Sequence, residues 1–405
     1  MTTAAEIRCA RAGASASVAI RVWLRGGLSS EGRPGLALLT GRMLAEGTRS
    51  RSWDRIAAEA EALGMDISAF GGPEVIGVAI DALAQDWRQA AAWAAELALE
   101  PSFPSERCAW LRRQTVAELT SLSEQPEVVA GWAFQEQLYA PHPWSRPLQG
   151  TRSSIESLSS EDCAAFHRQS LARGCIVSVV GDIDPTEVEP VLERLFSLVA
   201  EPVNGDEPAL PVGGEPERLV ELPEGDQAHL LMGRLTVPVT DPDRVALELA
   251  AVILGSGPGL AGRIPERIRE AEGLAYATHV ATTAGAGLSP GRFVVYLGTA
   301  PRNVDRARAA VGEEVARILS EGILANEFEE ARMYLLGSEP FRRETARQVA
   351  LLQAQSCLYE LPFDRAGWLA GELDRMDSTV VESAMVRHLD PERWFCTIGL
   401  PRSRR

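Results

Sequence analysis

Histidine and cysteine are the side chains that could carry metal or nucleophilic chemistry in this chain, and their spacing argues against both. The five histidines never stand three or four residues apart, and the six cysteines include no C-x-x-C pair. A zinc site needs three or four ligands, and some of them usually lie close together in sequence. No Ser/His/Asp or Cys/His grouping with a local signature is present either. We therefore expect no zinc site within this chain and six reduced thiols in its core.

A glycine-rich segment, Gly255-Ser-Gly-Pro-Gly-Leu-Ala-Gly262, is a second candidate for chemistry. Such segments can hold phosphate through backbone N–H groups, but no Lys-Ser or Lys-Thr follows this one, and Pro258 has no N–H. The bare backbone of Gly257, Gly259 and Gly262 could instead let a peptide or a partner chain approach closely. These three glycines are the predicted substrate-binding positions.

Predicted strands alternate with predicted helices in both halves of the chain. Runs rich in β-branched residues predict strands, and apolar residues at helical spacing predict helices. Strands are expected at 17–24, 175–180, 230–235 and 292–297, and two long helices at 243–254 and 304–320. Strands that alternate with helices, twice over, predict two α/β or α+β sandwiches.

Capping residues predict where two further helices begin. Asp184 can cap a helix that has Pro185 in its first turn, with Glu187 completing a capping box. Asn326 with Glu329 predicts another helix start by the same logic. In each case the acid three residues after the cap is expected to accept the N–H of the capping residue.

A segment rich in proline, glycine and acids divides the chain near its middle. Residues 204–226 lack apolar periodicity, which is typical of a linker. Three short segments on either side of it are similar and come in the same order: 61–67 and 270–276, 78–84 and 294–300, 100–106 and 321–327. The pattern predicts a duplicated fold with domains at 1–203 and 227–405.

The formal net charge of −16 argues against a large nucleic-acid interface, which needs a basic face. Such a charge serves solubility, or attracts a cationic peptide or a basic partner subunit. No apolar run approaches the roughly 20 residues that cross a bilayer. The first residues lack the basic and apolar regions of an export signal, so a cytoplasmic location without membrane attachment is expected.

The segment Gly35-Leu-Ala-Leu-Leu-Thr-Gly-Arg resembles the metal-site helix of M16 (pitrilysin- and insulinase-like) peptidases, which reads G-L-A-H-F-L-E-H. The two zinc-binding histidines and the catalytic glutamate of that motif correspond to Leu38, Arg42 and Gly41. Leucine offers zinc no lone pair, arginine is a permanent cation, and glycine cannot transfer a proton. Glu118 stands about where the third zinc ligand would fall, but one carboxylate cannot hold zinc, so we expect a solvated or capping acid.

Residues 262–276 resemble another M16 segment, S-R-L-F-x-x-L-R-E-x-x-G-L-A-Y. In the family, its last arginine and its tyrosine form a pair in the half that lacks zinc. Here the pair corresponds to Arg269 and Tyr276, which are both retained. The resemblance implies that they reach across to a substrate at a zinc site. A fixed guanidinium and a phenol hydroxyl would stabilise the oxyanion that forms there.

The resemblance to M16 peptidases extends over nearly the whole chain. Residues 122–130 are similar to the family's E-D-D-P segment, and residues 142–151 resemble its H-P-Y-x-x-P-x-x-G-T loop. We expect His142, in that loop, to form a structural corner with a satisfied imidazole. The resemblance implies two homologous domains of the M16 fold, each a mostly antiparallel sheet with helices.

For function, the resemblance implies the non-catalytic subunit of a heterodimeric zinc peptidase of the M16B type. The partner would be a zinc-bearing chain of similar length with an intact H-x-x-E-H helix, and the two would enclose a peptide substrate. This chain would bind no cofactor and would not be a peptidase on its own, although it could form a homodimer when isolated. The alternative is a catalytically inert M16-like scaffold or homodimeric interaction protein, but a scaffold has no reason to keep both Arg269 and Tyr276.

Overall fold

The computed structural model describes residues 4–12, 16–203, 211–223, 225–257 and 261–402. Their strands, in chain order, are β1 (Glu6–Arg11), β2 (Ser17–Arg25), β3 (Asp66–Gly71), β4 (Val75–Leu83), β5 (Cys175–Gly181), β6 (Glu217–Leu222), β7 (Ala228–Leu235), β8 (Ala275–Ala284), β9 (Arg292–Thr299) and β10 (Phe395–Pro401). The four strands predicted from sequence lie within β2, β5, β7 and β9.

The helices follow the same chain order. They are α1 (Leu36–Met43), α2 (Trp53–Ala62), α3 (Trp87–Leu99), α4 (Ser105–Ser123), α5 (Pro126–Tyr139), α6 (Arg152–Ser157), α7 (Ser160–Ala172), α8 (Pro185–Leu195), α9 (Arg244–Ala251), α10 (Arg263–Pro265), α11 (Val304–Glu321), α12 (Ala325–Ser338), α13 (Ala346–Tyr359), α14 (Arg365–Arg375) and α15 (Ser378–His388). Helices α9 and α10 continue as π-helical segments, Val252–Ser256 and Glu266–Ala271. None of the described helices combines the length and the apolar character that a membrane crossing requires.

The chain divides into two compact units, each built on one five-stranded sheet. The first unit comprises Met1–Thr120, His142–Ala209 and Pro340–Phe363, and the second comprises Ser121–Pro141, Leu210–Glu339 and Asp364–Arg405. The sheet orders are β1-β5-β2-β4-β3 and β6-β10-β7-β9-β8. Adding five to each strand number of the first sheet gives the second sheet, so the predicted duplication of the fold is confirmed.

Both sheets are mostly antiparallel, as predicted. In the first sheet, β1 and β5 pair in parallel and the other neighbours are antiparallel. In the second sheet, β6 and β10 form the parallel pair. The strands β3 and β8 are therefore equivalent edge strands, and each follows a helix and a short turn.

Helix α13 covers one face of the first sheet. Side chains alternate along β2, so that Ala19 and Trp23 share a face. Ala19 packs against Ala350, and Trp23 packs in a cluster with Ala354. A helix from the C-terminal half of the sequence therefore completes the core of the N-terminal unit.

Helix α5 has the corresponding position in the second unit. Gln137 accepts a hydrogen bond from Thr397 Oγ1 at 2.7 Å, and the Tyr139 hydroxyl donates to the Pro290 carbonyl at 2.9 Å. Relative to the two halves of the sequence, α5 and α13 are thus exchanged between the units, which the repeated segments do not predict. In the predicted linker, residues 204–210 and 224 lie outside the described residues, and the limits 1–203 and 227–405 stay predictions.

The two predicted helix starts differ from the structure in detail. Asp184 accepts the N–H of Thr186 at 2.9 Å, as a cap should. Glu187 does not complete a capping box with Asp184, and its carboxylate pairs instead with Arg88 of α3 at 3.3 Å. A helix lies where Asn326 and Glu329 predicted one, but these two residues are not its capping pair. Helix α12 begins earlier, and Glu327 accepts the Leu324 N–H at 3.0 Å.

Candidate functional site

Helix α1, which resembles a metal-site helix, lies directly against strand β3. A Cβ atom built on Gly41 would fall 2.1 Å from the Phe70 carbonyl oxygen, and one on Gly71 would fall 2.2 Å from the Ala37 carbonyl oxygen. Such distances are far inside van der Waals contact. Glycine is therefore needed at both positions because the two backbones touch. A glutamate side chain does not fit at position 41.

The other two positions of the motif serve packing and an ion pair. Leu38 is buried in the core of the first unit. The Arg42 guanidinium donates hydrogen bonds to Thr115 Oγ1 at 3.1 Å and to Glu118 Oε2 at 2.9 Å. Arg42 and Glu118 thus join α1 to α4, at positions that resemble those of two zinc ligands.

Glu118 differs from the solvated or capping acid that was expected. Its carboxylate also accepts a hydrogen bond from Gln149 Nε2 at 3.1 Å, and its side chain is 35% exposed. Burial acts to raise the pKa of Glu118, but the hydrogen bonds from Gln149 and Arg42 lower it overall. The positive charge of Arg42, where the family's motif has a neutral histidine, lowers the pKa of Glu118 further.

Among the described residues, no group of three or more His, Cys, Asp or Glu side chains is arranged to hold a metal ion. The six cysteines are free thiols, and all except Cys9 are buried. His142 is buried, and its Nδ1 accepts the backbone N–H of Trp144 at 3.1 Å. Burial lowers the pKa of His142, which favours the neutral imidazole. His142 is thus the satisfied corner that the sequence predicted.

Arg269 and Tyr276 lie together in the second unit. Arg269 belongs to the π-helical segment that continues α10, and Tyr276 is the second residue of edge strand β8. The guanidinium carbon of Arg269 lies 5.6 Å from the centre of the Tyr276 ring. This distance is within the range of a cation–π contact. The structure therefore brings together the two side chains that sequence analysis selected.

A β-bulge presents Tyr276 to solvent. Strands β8 and β9 pair on both sides of this residue, but the register shifts between Ala275 and Ala277. Bulges of this kind redirect a side chain, and Tyr276 is 81% exposed. The Arg269 side chain is 37% exposed and lies 3.4 Å from the Glu270 carboxylate. A hydroxyl donor and a cation are therefore both within reach of a ligand.

The two ends of the glycine-rich segment, Gly255 and Gly262, lie in close contact. Gly255 and Gly262 have φ angles of 150° and 130°, which glycine adopts readily. A Cβ atom on Gly262 would lie 2.5 Å from the Gly255 Cα, so internal packing already requires a glycine there. Gly257 has an extended backbone, and Gly259 lies outside the described residues. Substrate binding by the three predicted glycines stays a prediction.

Arg263 was missed by the sequence analysis. It follows Gly262 directly, and its side chain, 8% exposed, forms an ion pair with Glu327 of α12. The signal was present in the segment 262–276, where an arginine stands second in the family's pattern as well. Its burial could not be predicted, because it depends on the ion pair with Glu327 and on the packing of α12 against the segment Val252–Ser256.

Two family models match successive parts of the chain. The model described as Insulinase (Peptidase family M16) matches residues 10–152, and the model described as Peptidase M16 inactive domain matches residues 157–335. The chain belongs to the M16 peptidase family. The matches cover both units, and the M16 zinc motif of the first part is replaced at Leu38, Gly41 and Arg42.

Bacterial M16 relatives match over most of their length. A protein of Mycobacterium leprae named as an uncharacterized zinc protease is 26% identical over 393 residues, which are 94% of this chain and 86% of the relative. The Helicobacter pylori protein named Non-peptidase homolog YmxG is 24% identical over 332 residues, 80% of this chain and 76% of the relative. The relatives thus include proteins named as proteases and a protein named as a non-peptidase.

Solved structures share the fold. A structure described as the peptidase M16 inactive domain from Pseudomonas fluorescens has a TM-score of 0.91 and 24% identity, and the match covers 99% of this chain and 97% of that one. A chain of complex III2 from Candida albicans has a TM-score of 0.80 and 15% identity, covering 98% of this chain and 95% of that one. The M16 fold predicted from the sequence is confirmed.

Proposed function

We propose that this M16 chain is the non-catalytic subunit of a heterodimeric zinc peptidase of the M16B type. In this proposal it supplies Arg269 and Tyr276 to a peptide bound at the zinc site of a partner chain of similar length. The contact between the Arg269 guanidinium and the Tyr276 ring, with Tyr276 81% exposed at a β-bulge, is the observation that carries the proposal. Packing alone gives no reason to hold such a pair at the surface.

The chemistry that this pair offers is stabilisation of negative charge. A zinc ion held by the partner would supply an activated water for peptide hydrolysis, and the oxygen of the attacked carbonyl would then carry negative charge. A phenol hydroxyl can donate a hydrogen bond to that oxygen, and a guanidinium can donate another with a full positive charge. Neither group has to gain or lose a proton, so a chain without zinc can provide both.

A catalytically inert scaffold is the alternative function. The fold shared with a chain of complex III2 and the name of the Helicobacter pylori relative favour it. The retained pair Arg269 and Tyr276 favours the peptidase subunit instead, because a scaffold would need neither residue. A cytoplasmic location stays a prediction from the sequence.

Substitution of the pair in the assembled peptidase tests the proposal. We expect hydrolysis of a fluorogenic peptide only when this chain is mixed with an H-x-x-E-H-bearing M16 chain from the same organism. Tyr276→Phe and Arg269→Ala should each lower kcat by about 10²-fold, the effect of losing one oxyanion donor. Steady-state kinetics at saturating partner measures this effect.

Arg365→Ala is the matched control, because Arg365 makes a contact of the same kind with Trp368, also at 5.6 Å, on α14. This variant should keep full turnover. Size-exclusion chromatography should show that all the variants still bind the partner. Full turnover of Tyr276→Phe and Arg269→Ala in an intact complex would refute the assigned role. A complex that forms without any peptidase activity would favour the scaffold.

A further inference from the structure

The contact between Arg269 and Tyr276 lies at the surface of the second unit. The Arg269 side chain is 37% exposed and Tyr276 is 81% exposed, so core packing does not hold either side chain in place. The residue before each of them, Ile268 or Ala275, is buried. The relative position of the two side chains therefore depends on the connection, residues 272–274, between the π-helical segment and strand β8.

Five charged side chains form one network at this connection, here named the charged network: Arg267, Glu272, Arg306, Glu313 and Glu314. The last three belong to α11. The Arg267 guanidinium donates to Glu272 at 3.2 Å and to Glu314 at 3.3 Å. It also pairs with Glu313. Arg306 binds the Glu272 carboxylate side-on, because its Nε and Nη2 each donate to one carboxylate oxygen at 2.7 Å. The Arg306 Nη1 donates to Glu313 at 3.1 Å.

The charged network is more than a set of surface ion pairs. The Glu314 side chain is 2% exposed, and those of Arg267 and Glu272 are each 24% exposed. Hydrogen bonds from Arg306 and Arg267 lower the pKa of Glu272, although burial acts in the opposite direction. The backbone joins the same elements, since the Glu272 N–H donates to the Arg267 carbonyl at 3.0 Å. A bidentate pair within a partly buried network restricts its side chains far more than an isolated exposed pair does.

We propose that Arg267 and Arg306 are positioning residues for the pair Arg269 and Tyr276. Through Glu272 they fix the connection against α11, and the connection sets where the guanidinium of Arg269 meets the ring of Tyr276. The inference rests on the proposed function and adds residues that act on the pair without touching the peptide. A loosened connection would leave both oxyanion donors present but displaced, and a small displacement of such groups lowers kcat strongly.

Fluorine NMR of the isolated chain tests the positioning directly. Incorporation of meta-fluorotyrosine labels the five tyrosines of the chain, and Tyr276→Phe identifies the signal of Tyr276. Arg269→Ala removes the contact and gives the reference shift. We expect Arg306→Gln and Glu272→Gln each to move the Tyr276 signal toward that reference, because the connection is no longer fixed. The signals of the other tyrosines should stay in place.

Arg308→Gln is the matched control. Arg308 and Arg306 lie on the same helix with side chains 43% and 45% exposed, but Arg308 pairs with Glu217 at 2.5 Å, outside the charged network. This variant should leave the Tyr276 signal in place. A Tyr276 signal that also stays in place in Arg306→Gln and Glu272→Gln would overturn the inference. Movement of all five signals would overturn it too, because the network would then support the whole unit.

Kinetics of the assembled peptidase separate this inference from the proposed function. Arg306→Gln should lower kcat about tenfold and leave KM unchanged, since the network acts on the oxyanion donors and not on peptide binding. An unchanged kcat together with a displaced Tyr276 signal would refute the proposed role of the pair and leave the positioning standing. An undisplaced signal, with kcat still lowered by Tyr276→Phe, would refute the positioning and leave the proposed function standing.

Discussion

At the scale of single residues, Leu38, Gly41 and Arg42 exclude zinc for different reasons. For Leu38 and Arg42 the residue type alone explains the loss of zinc binding, because leucine has no donor atom and arginine is cationic. The sequence therefore predicted the effect of both residues. The reason for Gly41 could not be predicted. It depends on the approach of the Phe70 backbone, which is distant in sequence and reaches the helix only through the sheet. The partnership of Arg42 with Glu118 was missed for the same reason.

Gly41→Ala should therefore destabilise the protein. The added Cβ would force α1 and β3 apart, and overpacking of this kind costs about 1–3 kcal/mol of unfolding free energy. Gly312→Ala is the matched control, since Gly312 lies inside α11 and a Cβ there meets nothing within 4 Å. It should stabilise by up to about 1 kcal/mol, the difference in helix propensity. Urea denaturation gives both values, and a neutral Gly41→Ala would mean that the backbones do not touch.

At the scale of elements, regular structure was predictable and irregular structure was not. The strands beginning at Ser17 and Cys175 were predicted because their apolar runs carry the signal locally. The π-helical segment that holds Arg269 and the bulge that exposes Tyr276 depend on pairing with β9 and on packing. The proximity of the pair therefore followed from the family resemblance, whereas its exposure emerged only from the structure.

The start of α1 depends on a buried acid, Glu31. Its carboxylate accepts the N–H groups of Gly35 and Ala37 at 3.0 and 2.9 Å, and the residue is 5% exposed. Burial raises the pKa of Glu31 from 4.5 to about 7, although these hydrogen bonds act in the opposite direction. The folded chain therefore favours the protonated acid more than the unfolded chain does.

This shift predicts a pH-dependent stability. Because the folded pKa is the higher one, the contribution of Glu31 is complete below about pH 4.5 and is lost as the pH rises through about 7. Relative to Glu31→Gln, the native chain should lose about 3 kcal/mol of unfolding free energy over this range. Urea denaturation at several pH values measures the difference. If the unfolding free energies of the two proteins changed with pH in parallel, the hydrogen bonds from the helix N–H groups would offset the effect of burial on the pKa of Glu31.

At the scale of the whole molecule, the two units have the same strand order, and each takes a helix from the other half of the sequence. The repeated segments predicted the duplication of the fold because they lie at equivalent elements, and the structure supplied the strand order that the two units share. They could not predict the exchange of α5 and α13, since helical periodicity does not say which sheet a helix covers. Which sheet the apolar face of α5 or of α13 covers becomes clear only when the positions of the sheets are known.

The exchange predicts that residues 1–203 do not fold properly alone. Without α13, the face of the first sheet that holds Ala19 and Trp23 would be exposed, and the fragment should aggregate. A peptide of residues 340–363 should restore solubility and cooperative unfolding. The same peptide with Ala350→Asp should not, because it would bury an unpaired charge. A fragment that is monomeric and folded without the peptide would contradict this prediction, as light scattering and circular dichroism would show.

The position of α13 also affects how the chain is made. The ribosome releases the polypeptide from its N-terminus, and β5 is complete at Gly181, long before α13 begins at Ala346. One apolar face of the first sheet therefore stays uncovered until α13 is translated, by which time every strand of the second sheet except β10 has been made. Chaperones that bind nascent chains would bind that uncovered face. The hydrophobic cores of the two units would be completed at almost the same time.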